Sequence, residues 1–412
     1  MAEPIAPESH SSNLLPLSDA LARMRAAIAP VQAIETVGLT DALERVLAAP
    51  IAASLDVPAH DNSAMDGYAL RAADATAPLR LIGTALAGHP FGGEITPGTC
   101  VRITTGAPLP RGADCVAMQE NTQVEDGIVA LDRAHAIDEN VRHRGEDIAA
   151  GTTLLQAGHR LGPIDIGLLA SLGCERVAVY RRLRVAVVST GDELVPPGQP
   201  LGPGQIYDSN RYAIGAMLQR LGVDVLDLGL IRDDAAAIRA AFARAADEAD
   251  ALISSGGVSV GDADLVKDVL AELGDIGFWK VAIKPGKPFA FGRIRQCWFF
   301  GLPGNPVSSV VTLHQLALPM LRHLGGEQLA PQVALQLPAA GRFRKQPGRA
   351  DFQRAQLQSG DGATLVRANG PQGSGVLTSF SGADCFAMLE RERGPVEAGE
   401  VVSVLPFDRF LT

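Results

Sequence analysis

The chain has 412 residues, of which 47% are hydrophobic and 20% charged, with 44 glycines, 27 prolines and a formal net charge of −10. One hydrophobic core rarely grows past roughly 250–300 residues, so we expect two to four domains with many turns and a β-rich portion. The acidic balance argues against sequence-independent nucleic-acid binding, because that requires a basic surface to neutralise phosphates.

The cysteines and the first residues indicate a cytoplasmic protein. The five cysteines show no C-x-x-C spacing and no histidine at ligand spacing, as expected for reduced thiols. The first ten residues contain acids and prolines but neither a basic start nor an apolar stretch, so we predict no secretory signal. No run approaches the ~20 apolar residues that cross a bilayer, and we expect no membrane segment.

Residues 14–50 are expected to form two short helices. Ser18 is predicted to cap the first, with Leu21, Met24 and Ile28 on one face, and Thr40 to cap a second over residues 42–47. Two short helices that precede any strand can bury little apolar surface by themselves. They therefore need a partner, either a later part of this chain or a second copy of it.

From about residue 51 to about residue 147, short strands separated by turns indicate a small β domain. The predicted strands cover residues 68–70, 79–82, 100–103, 115–118 and 128–131. Three loops carry polar groups suited to chemistry, at residues 61–68 with two carboxylates, at residues 104–110 with hydroxyls, and at residues 142–147 with cations and acids. Taken singly, these loops are better explained by an Asx turn, a proline-braced turn and a solvated surface turn, respectively.

A helix is predicted over residues 163–172, and a long α/β unit starts at Leu183. Four apolar, strand-like runs each end in a polar loop, at residues 189–193, 232–234, 254–264 and 301–306. In a parallel sheet such loops all lie at the carboxyl ends of the strands, where open α/β folds bind ligands. Carboxylates distant in sequence are therefore expected to converge, namely those of Glu193, Asp233 or Asp234, Asp262 and Asp264.

The third loop, SSGGVSVGDAD at residues 254–264, follows an apolar run and leads into an amphipathic helix. Glycines let backbone N–H groups approach a phosphate closely, and a helix N-terminus adds partial positive charge. Asp262 and Asp264 would repel a bare phosphate, so the pattern favours a phosphate site bridged by a metal ion. A tight turn with Asp262 or Asp264 as the helix N-cap accounts for the same residues.

Lysines lie between the third and fourth loops. If residues 278–284 form a strand, its period of two places Lys280 and Lys284 on one face with Ala282, about 13 Å apart, while the intervening residues face a core. That separation suits two anionic groups of an elongated ligand better than one phosphate. A solvent-facing basic strand is the alternative.

From about residue 331 the helical periodicity is lost. Predicted strands at residues 352–355, 364–367, 385–389 and 401–405 are split by glycine turns, which indicates a small closed β module. Within this module the Gly-Ser-Gly of residues 373–375 either touches a ligand or only turns the chain.

Taken in order, these loops resemble those of the molybdopterin molybdenumtransferase family, which includes MoeA and the E domain of gephyrin. The resemblance covers nearly the whole chain. One such motif alone would be weak evidence for the family, whereas the full set in this order is specific to it. The motifs are NSAMDGYA (62–69), TGAP (105–108), RGED (144–147), STGDEL (189–194), SGGVSVG (255–261), KPGKP (284–288) and GLPGNPVS (301–308).

The resemblance implies a multidomain fold of α/β and β type. Its parts are a helical linker and dimerisation domain (residues 14–50 and 148–180), an inserted β domain (51–147), a molybdopterin-binding three-layer α/β domain (181–330) and a C-terminal β-barrel (331–412). It further implies a homodimer whose shared active site joins the α/β domain of one subunit to the inserted domain of the other. Such a dimer would supply the partner that the N-terminal helices need.

The implied reaction takes adenylylated molybdopterin and molybdate, cleaves the phosphoanhydride with Mg²⁺, and releases molybdenum cofactor and AMP. Such chemistry depends mostly on positioning and charge neutralisation. By resemblance, the metal ligands are Glu193, Asp233 and Asp264. The residues implied in catalysis are Asp66, Thr105, Asp147, Glu193, Asp233, Asp264, Lys280 and Lys284. Those implied in substrate binding are Arg142, Ser255, Gly256, Gly257, Ser259, Gly261, Lys287, Pro303, Asn305 and Pro306.

The resemblance also implies partners. A molybdopterin adenylyltransferase upstream would supply the substrate, and molybdoenzymes or cofactor carriers downstream would receive the product. Two alternatives stay open: a molybdopterin adenylyltransferase, which should lack residues 51–147, and a non-catalytic scaffold like gephyrin. Nothing in the sequence indicates a peptide groove.

Overall fold

The structure is a computed structural model that describes residues 14–257, 265–360 and 362–412. None of the helices in these ranges is long and apolar enough to span a membrane. The α-helices found there are α1 (Leu17–Ala27), α2 (Pro163–Ser171), α3 (Asn210–Leu221), α4 (Ala235–Glu248), α5 (Leu265–Leu273), α6 (Pro306–Thr312) and α7 (Leu318–Leu324).

Residues 14–180 combine α1 and α2 with short strands. The five strands predicted between residues 68 and 131 all form, as does the helix predicted near residue 163. The strands are β1 (Ile34–Gly38), β2 (Ile51–Ala52), β3 (Asn62–Ser63), β4 (Gly67–Leu70), β5 (Leu79–Ala85), β6 (Thr99–Ile103), β7 (Cys115–Met118), β8 (Thr122–Glu125), β9 (Ile128–Leu131), β10 (Val141–Arg142), β11 (Thr153–Leu155) and β12 (Arg176–Tyr180).

The N-terminal prediction of two helices is half wrong. The first helix forms but begins at Leu17 after Pro16, so Ser18 lies inside it and does not cap it. The second does not form, because β1 pairs antiparallel with β12, and Leu47 makes a bridge to Val179. Pairing with a segment more than 100 residues away outweighs the local helical pattern of residues 42–47.

The inserted β segment forms one six-stranded sheet in the order β7-β4-β6-β5-β9-β8. Its two faces are both packed, since Leu70 and Cys115 lie in one apolar cluster and Ala69 and Val116 in another. The alternation of successive residues between the two clusters fixes the register of β4 and β7. A rigid sheet therefore carries the loops that precede β4 and follow β6.

The central sheet has the order β16-β13-β17-β21-β20-β18. The first four strands are mutually parallel, and the last two are antiparallel additions at one edge. The strands of this segment are β13 (Arg184–Thr190), β14 (Leu194–Val195), β15 (Ile206–Tyr207), β16 (Asp224–Ile231), β17 (Ala251–Ser255), β18 (Gly274–Lys280), β19 (Ile283–Lys284), β20 (Pro288–Ile294) and β21 (Cys297–Leu302).

Helices cover both faces of the central sheet, as a parallel sheet requires. Val185 and Val187 of β13 pack in the cluster that includes residues of α1, α3, α6 and α7, whereas Ala186 and Val188 pack against α4 and α5. The chain runs from β13 outward to β16 on one side and then to β17 on the other. The crevice between β13 and β17 is therefore the topological switch point, where such folds bind ligands.

The strand predicted for residues 278–284 is interrupted. β18 ends at Lys280, and β19 leaves the central sheet to pair with a strand of the C-terminal segment. Ala282 is buried at 2% exposure and does not share an open face with the two lysines. The prediction of one continuous strand is wrong because the two ends of this stretch pair in two different sheets.

The C-terminal segment forms a third six-stranded sheet, of order β19-β23-β25-β26-β22, with β24 paired to β23. The four strands predicted from the sequence all form. Val366 in β24 also bridges to Ala339, just after β22. The strands are β22 (Leu335–Pro338), β23 (Ala350–Gly360), β24 (Ala363–Ala368), β25 (Cys385–Leu389) and β26 (Val401–Pro406).

Candidate active site

The loops after β13, β16, β17 and β21 lie at one edge of the central sheet, because these four strands are parallel neighbours. They contain most of the residues that the sequence singles out in this domain. Ser259, Gly261, Asp262 and Asp264 fall outside the described residues.

Three carboxylates after β13 and β16 influence one another electrostatically. The Asp233 backbone N–H donates to Asp192 Oδ1 at 3.3 Å. The Asp233 pKa is raised, first by partial desolvation of its carboxyl and then by the negative charges of Asp192 and Glu193. This group of side chains, Asp192, Glu193 and Asp233, is called the acidic cluster below.

Asp233 and the adjacent Asp234 have different surroundings. Asp234 is the N-cap of α4, where its Oδ1 accepts the backbone N–H of Ala237 at 2.7 Å. Asp233 instead lies beside Asp192 and Glu193. Of the two aspartates left open by the sequence, Asp233 is therefore the one placed with Glu193.

Ser255, Gly256 and Gly257 form the beginning of the glycine-rich loop. Gly256 and Gly257 have φ values of 93° and 68°, which favour glycine. A Cβ on Gly256 would lie 2.7 Å from Thr190 O, and one on Gly257 would lie 2.3 Å from Val266 Cγ2. These two glycines are thus required for the close packing of the loop against the end of β13 and the start of α5.

Two residues at this edge, Asp208 and Asn210, were not predicted from the sequence. Asp208 is 1% exposed and accepts hydrogen bonds from Ser189 Oγ at 3.1 Å and from Arg211 Nε at 3.0 Å. Asn210 Nδ2 donates to Ser255 Oγ at 2.8 Å and to Gly304 O at 2.7 Å. The signal in the sequence was the polar run Asp-Ser-Asn at residues 208–210, just ahead of a helical pattern.

The loop after β21 contains Pro303, Asn305 and Pro306. Pro303 is buried, Asn305 is exposed, and Pro306 is the first residue of α6. The backbone N–H of Val307 donates to Ser374 O at 2.9 Å. The Gly-Ser-Gly turn of the C-terminal segment therefore packs directly on the start of α6.

The three predicted lysines lie in different settings. Lys280 and Lys287 are exposed, whereas the Lys284 ammonium pairs with Asp351 Oδ2 at 3.0 Å. Asp351 is 2% exposed and also accepts from Gln353 Nε2 at 3.1 Å. Lys284 thus connects the α/β domain to the C-terminal sheet, and an anionic ligand would share it with Asp351.

In the inserted domain, Asp66 and Thr105 are joined directly. Asp66 Oδ1 accepts the Thr105 backbone N–H at 2.7 Å and its hydroxyl at 3.0 Å. These two hydrogen bonds, with a smaller contribution from Arg102, hold the Asp66 pKa below its ordinary value. Asp66 is exposed, so an ionised carboxylate faces solvent at this position.

The third loop of the inserted domain lies beside the first. Arg142 pairs with Asn62 in the short β3–β10 ladder, and the Arg144 backbone N–H donates to Asp61 Oδ1 at 2.7 Å. Arg142 and Asp147 are both exposed. The three loops that the sequence picked out in this domain are therefore neighbours on one side of it.

Two cavities lie away from these loops, between the linker segment and the α/β domain. One of about 30 Å³ is lined by residues including Arg45, Arg160 and Arg182, and another of about 220 Å³ by residues including Tyr180 and His323. The residues implied in catalysis that the structure describes line neither cavity, and all of them except the half-buried Lys284 are exposed. An open surface is consistent with a site that needs a second element to cover it.

The donor set of the acidic cluster suits Mg²⁺, which prefers carboxylate oxygens and retains several waters. Desolvation and the neighbouring Asp192 and Glu193 raise the Asp233 pKa, so its charged form is disfavoured, and a bound cation would offset this effect. Within the described ranges no three His, Cys, Asp or Glu side chains form a metal-binding group. Of the three implied ligands, Glu193 and Asp233 interact electrostatically, and Asp264 lies outside the described residues.

Comparisons with known proteins cover the whole of this architecture. Residues 15–173 match the profile of the MoeA N-terminal region (domain I and II), residues 186–323 that of a probable molybdopterin binding domain, and residues 336–407 that of the MoeA C-terminal region (domain IV). The crystal structure of the molybdopterin biosynthesis MoeA protein from Pyrococcus horikoshii OT3 superposes with a TM-score of 0.84 at 26% identity, covering 96% of this chain and 100% of that chain.

Named relatives agree with these profiles. The chain is 45% identical over 382 residues to a molybdopterin molybdenumtransferase of Haemophilus influenzae, covering 92% of this chain and 95% of the relative. It is 31% identical to gephyrin of Dictyostelium discoideum, covering 90% of this chain but 59% of gephyrin. The resemblance read from the motifs is confirmed, and this chain belongs to the molybdopterin molybdenumtransferase family.

Proposed function

We propose that this protein completes molybdenum cofactor by inserting molybdenum from molybdate into adenylylated molybdopterin, with Mg²⁺-dependent release of AMP. The observation that carries the proposal is the match to a molybdopterin molybdenumtransferase over 92% of the chain, inserted domain included. An adenylyltransferase alone was expected to lack residues 51–147. Their presence as a folded sheet supports insertion over adenylylation.

The acidic cluster would act on the phosphoanhydride side of the substrate. Glu193 and Asp233 would hold Mg²⁺, with Asp264 as the third expected ligand. The bound cation would neutralise charge on the anhydride oxygens. The residues themselves orient the nucleotide end, and the glycine loop lets backbone N–H groups approach the phosphate.

The lysines would act on the opposite end of the substrate. Lys280 and Lys287 are exposed and available to an anion, and Lys284 is fixed by Asp351. The pair with Asp351 fixes the position of the Lys284 ammonium, and an anion bound there would share its charge with that carboxylate. We assign these lysines to the pterin phosphate or molybdate, with Pro303 and Pro306 shaping the adjacent loop.

The inserted domain would supply the opposite wall of the site, from a second copy of the chain. Its Asp66, Thr105, Arg142 and Asp147 lie on one side of a rigid sheet. Every hydrogen bond described for this wall stays within residues 56–150, so it is available to a partner. A homodimer, the four-domain division and closure of the C-terminal sheet as a barrel form part of this proposal.

Product analysis tests the function. Purified protein is given adenylylated molybdopterin, molybdate and Mg²⁺ in one reaction, and molybdopterin with ATP in another, and AMP and pyrophosphate are quantified. We expect AMP release that rises with molybdate and requires the cation. Pyrophosphate release from ATP without AMP release would instead establish an adenylyltransferase, and neither product would favour a scaffold.

A further inference from the structure

Asn210, the first residue of α3, joins two of the ligand loops through a single side chain. Its Nδ2 donates to Ser255 Oγ at 2.8 Å and to Gly304 O at 2.7 Å. Both hydrogens of its amide group are therefore used. We propose that Asn210 is a positioning residue for molybdenum insertion, which sets the separation between the loop after β17 and the loop after β21.

The start of α3 is itself held by the sheet. The buried Asp208 carboxylate accepts from Ser189 Oγ, at the end of β13, and from the backbone N–H of Arg211 at 3.2 Å. Asn210 thus stands on a segment that is tied to β13 while it reaches β17 and β21. Three neighbouring parallel strands are linked at their carboxyl ends by residues 208–211.

Among the described residues, the strand ladder between β17 and β21 extends as far as the pair Ser255–Leu302. The Gly256 backbone N–H donates to Leu302 O at 3.2 Å, but Gly256 has no side chain to pack and Gly304 is exposed. A Cβ on Gly304 would meet nothing within 4 Å. Gly304 lies two residues beyond the end of this ladder, and Asn210 is the side chain that links its carbonyl directly to Ser255.

This inference rests on the proposed function, in which the two loops bind different parts of one substrate. A displacement of about 1 Å between binding groups costs up to roughly a hundredfold in rate. Asn210 touches no reacting atom in this scheme. Its effect is to keep the phosphate-binding loop and the loop near molybdate in one fixed arrangement.

The test compares Asn210→Ala with Gln219→Ala, an exposed position at the other end of the same helix. We expect Asn210→Ala to lower kcat for AMP release by about tenfold or more. Its Tm should stay close to that of the Gln219→Ala control. Ser255→Ala is combined with Asn210→Ala in a double-mutant cycle. Since both changes remove the same hydrogen bond, the double variant should lose clearly less activity than the product of the two single effects.

Two results would overturn the inference. One is a kcat and KM of Asn210→Ala within about twofold of the wild type, and the other is strict multiplication of the two single effects in the cycle. Amide hydrogen exchange of residues 301–305 is measured on the same proteins without substrate. If these amides exchange as slowly in Asn210→Ala as in the wild type, Asn210 does not hold this loop, even if the wild type inserts no molybdenum. Faster exchange in Asn210→Ala supports the inference.

Discussion

Among single residues, the adjacent Asp233 and Asp234 show that two neighbouring aspartates have different roles when their carboxylates have different surroundings. Asp233 and Asp234 are indistinguishable in the sequence, yet one lies in the acidic cluster and the other caps α4. Like charges crowded without a counter-charge destabilise a fold slightly, whereas a cap stabilises it. The two residues should therefore separate activity from stability.

We predict opposite outcomes for substitutions at these two positions. Asp234→Ala should lower the free energy of unfolding by about 1 kcal/mol through loss of the cap and retain AMP release. Asp233→Asn should leave the fold as stable as wild type or more so, and remove most of the Mg²⁺-dependent AMP release. Denaturant unfolding and the AMP assay measure both, and an inactive Asp234→Ala with an active Asp233→Asn would reverse the assignment.

The residues that sequence reasoning found and missed differ in a physical way. Glu193 and Asp233 were identifiable because they directly follow apolar strands, and strand direction alone places such groups together. Asp208 and Asn210 act through hydrogen bonds to residues 19, 45 and 94 positions away. In the sequence, the polar run that contains Asp208 and Asn210 looks like an ordinary helix cap. Only the folded chain shows that these two side chains bond to distant loops.

At the scale of elements, the turn after β17 depends on backbone conformation. Gly256 has a φ of 93° and lies against Thr190 O of the neighbouring strand. Gly215, inside α3, has no atom of another element within 4 Å of an added Cβ. The two glycines therefore provide a matched pair for substitution by alanine.

Gly256→Ala should destabilise the protein by at least about 1 kcal/mol, because an L-residue is strained at positive φ and its Cβ meets Thr190 O. AMP release should fall as well, since the loop moves. Gly215→Ala should stabilise α3 by about 0.5–1 kcal/mol and preserve activity. Thermal unfolding and the kinetics of AMP release measure these effects. Equal stability and equal activity of the two variants would contradict the role given to Gly256.

Elements were predictable where local pattern and packing agree. The parallel strands and all four C-terminal strands follow from short apolar runs between turns. The helix predicted over residues 42–47 and the continuous strand over residues 278–284 failed for a common reason. In both places the partner is distant in sequence, β12 in one and β23 in the other.

At the scale of the whole molecule, an ion triad fastens the linker segment to the α/β domain. Glu327 accepts from Arg160 Nη2 at 2.7 Å and from Arg322 Nε at 3.1 Å, and its side chain is 5% exposed. Burial raises the Glu327 pKa, but the hydrogen bonds from Arg322 and Arg160 outweigh burial, so the net pKa lies below the ordinary 4.5. Arg160 also donates to Glu44 O at 2.6 Å, which anchors the N-terminal chain.

Glu327→Gln should lower the free energy of unfolding by about 3 kcal/mol near neutral pH, because two arginines lose a buried counter-charge. The lowered pKa means that this stabilisation is present above the unfolded-state pKa and is lost as pH falls through the folded-state pKa. The gap between wild type and Glu327→Gln should therefore narrow below pH 4.5. Denaturant unfolding across pH measures the gap.

A matched control for this triad is Glu392→Gln, which breaks an ion pair with Arg391 at a side chain 81% exposed. That variant should differ from wild type by less than about 0.5 kcal/mol at any pH. A gap for Glu327→Gln that stays constant or widens on acidification would contradict the proposed charge state of the triad.

We propose that two surfaces of this chain, the carboxyl edge of the α/β domain and the Asp66 side of the inserted domain, form one molybdenum-inserting site across a dimer. The most direct measurement mixes Asp66→Ala subunits with Asp233→Ala subunits under conditions that exchange subunits, and assays molybdate-stimulated AMP release. Each variant alone should be inactive, and an equal mixture should recover about a quarter of wild-type activity, because half the dimers hold one intact site. No recovery in mixtures shown to contain heterodimers would contradict a shared site.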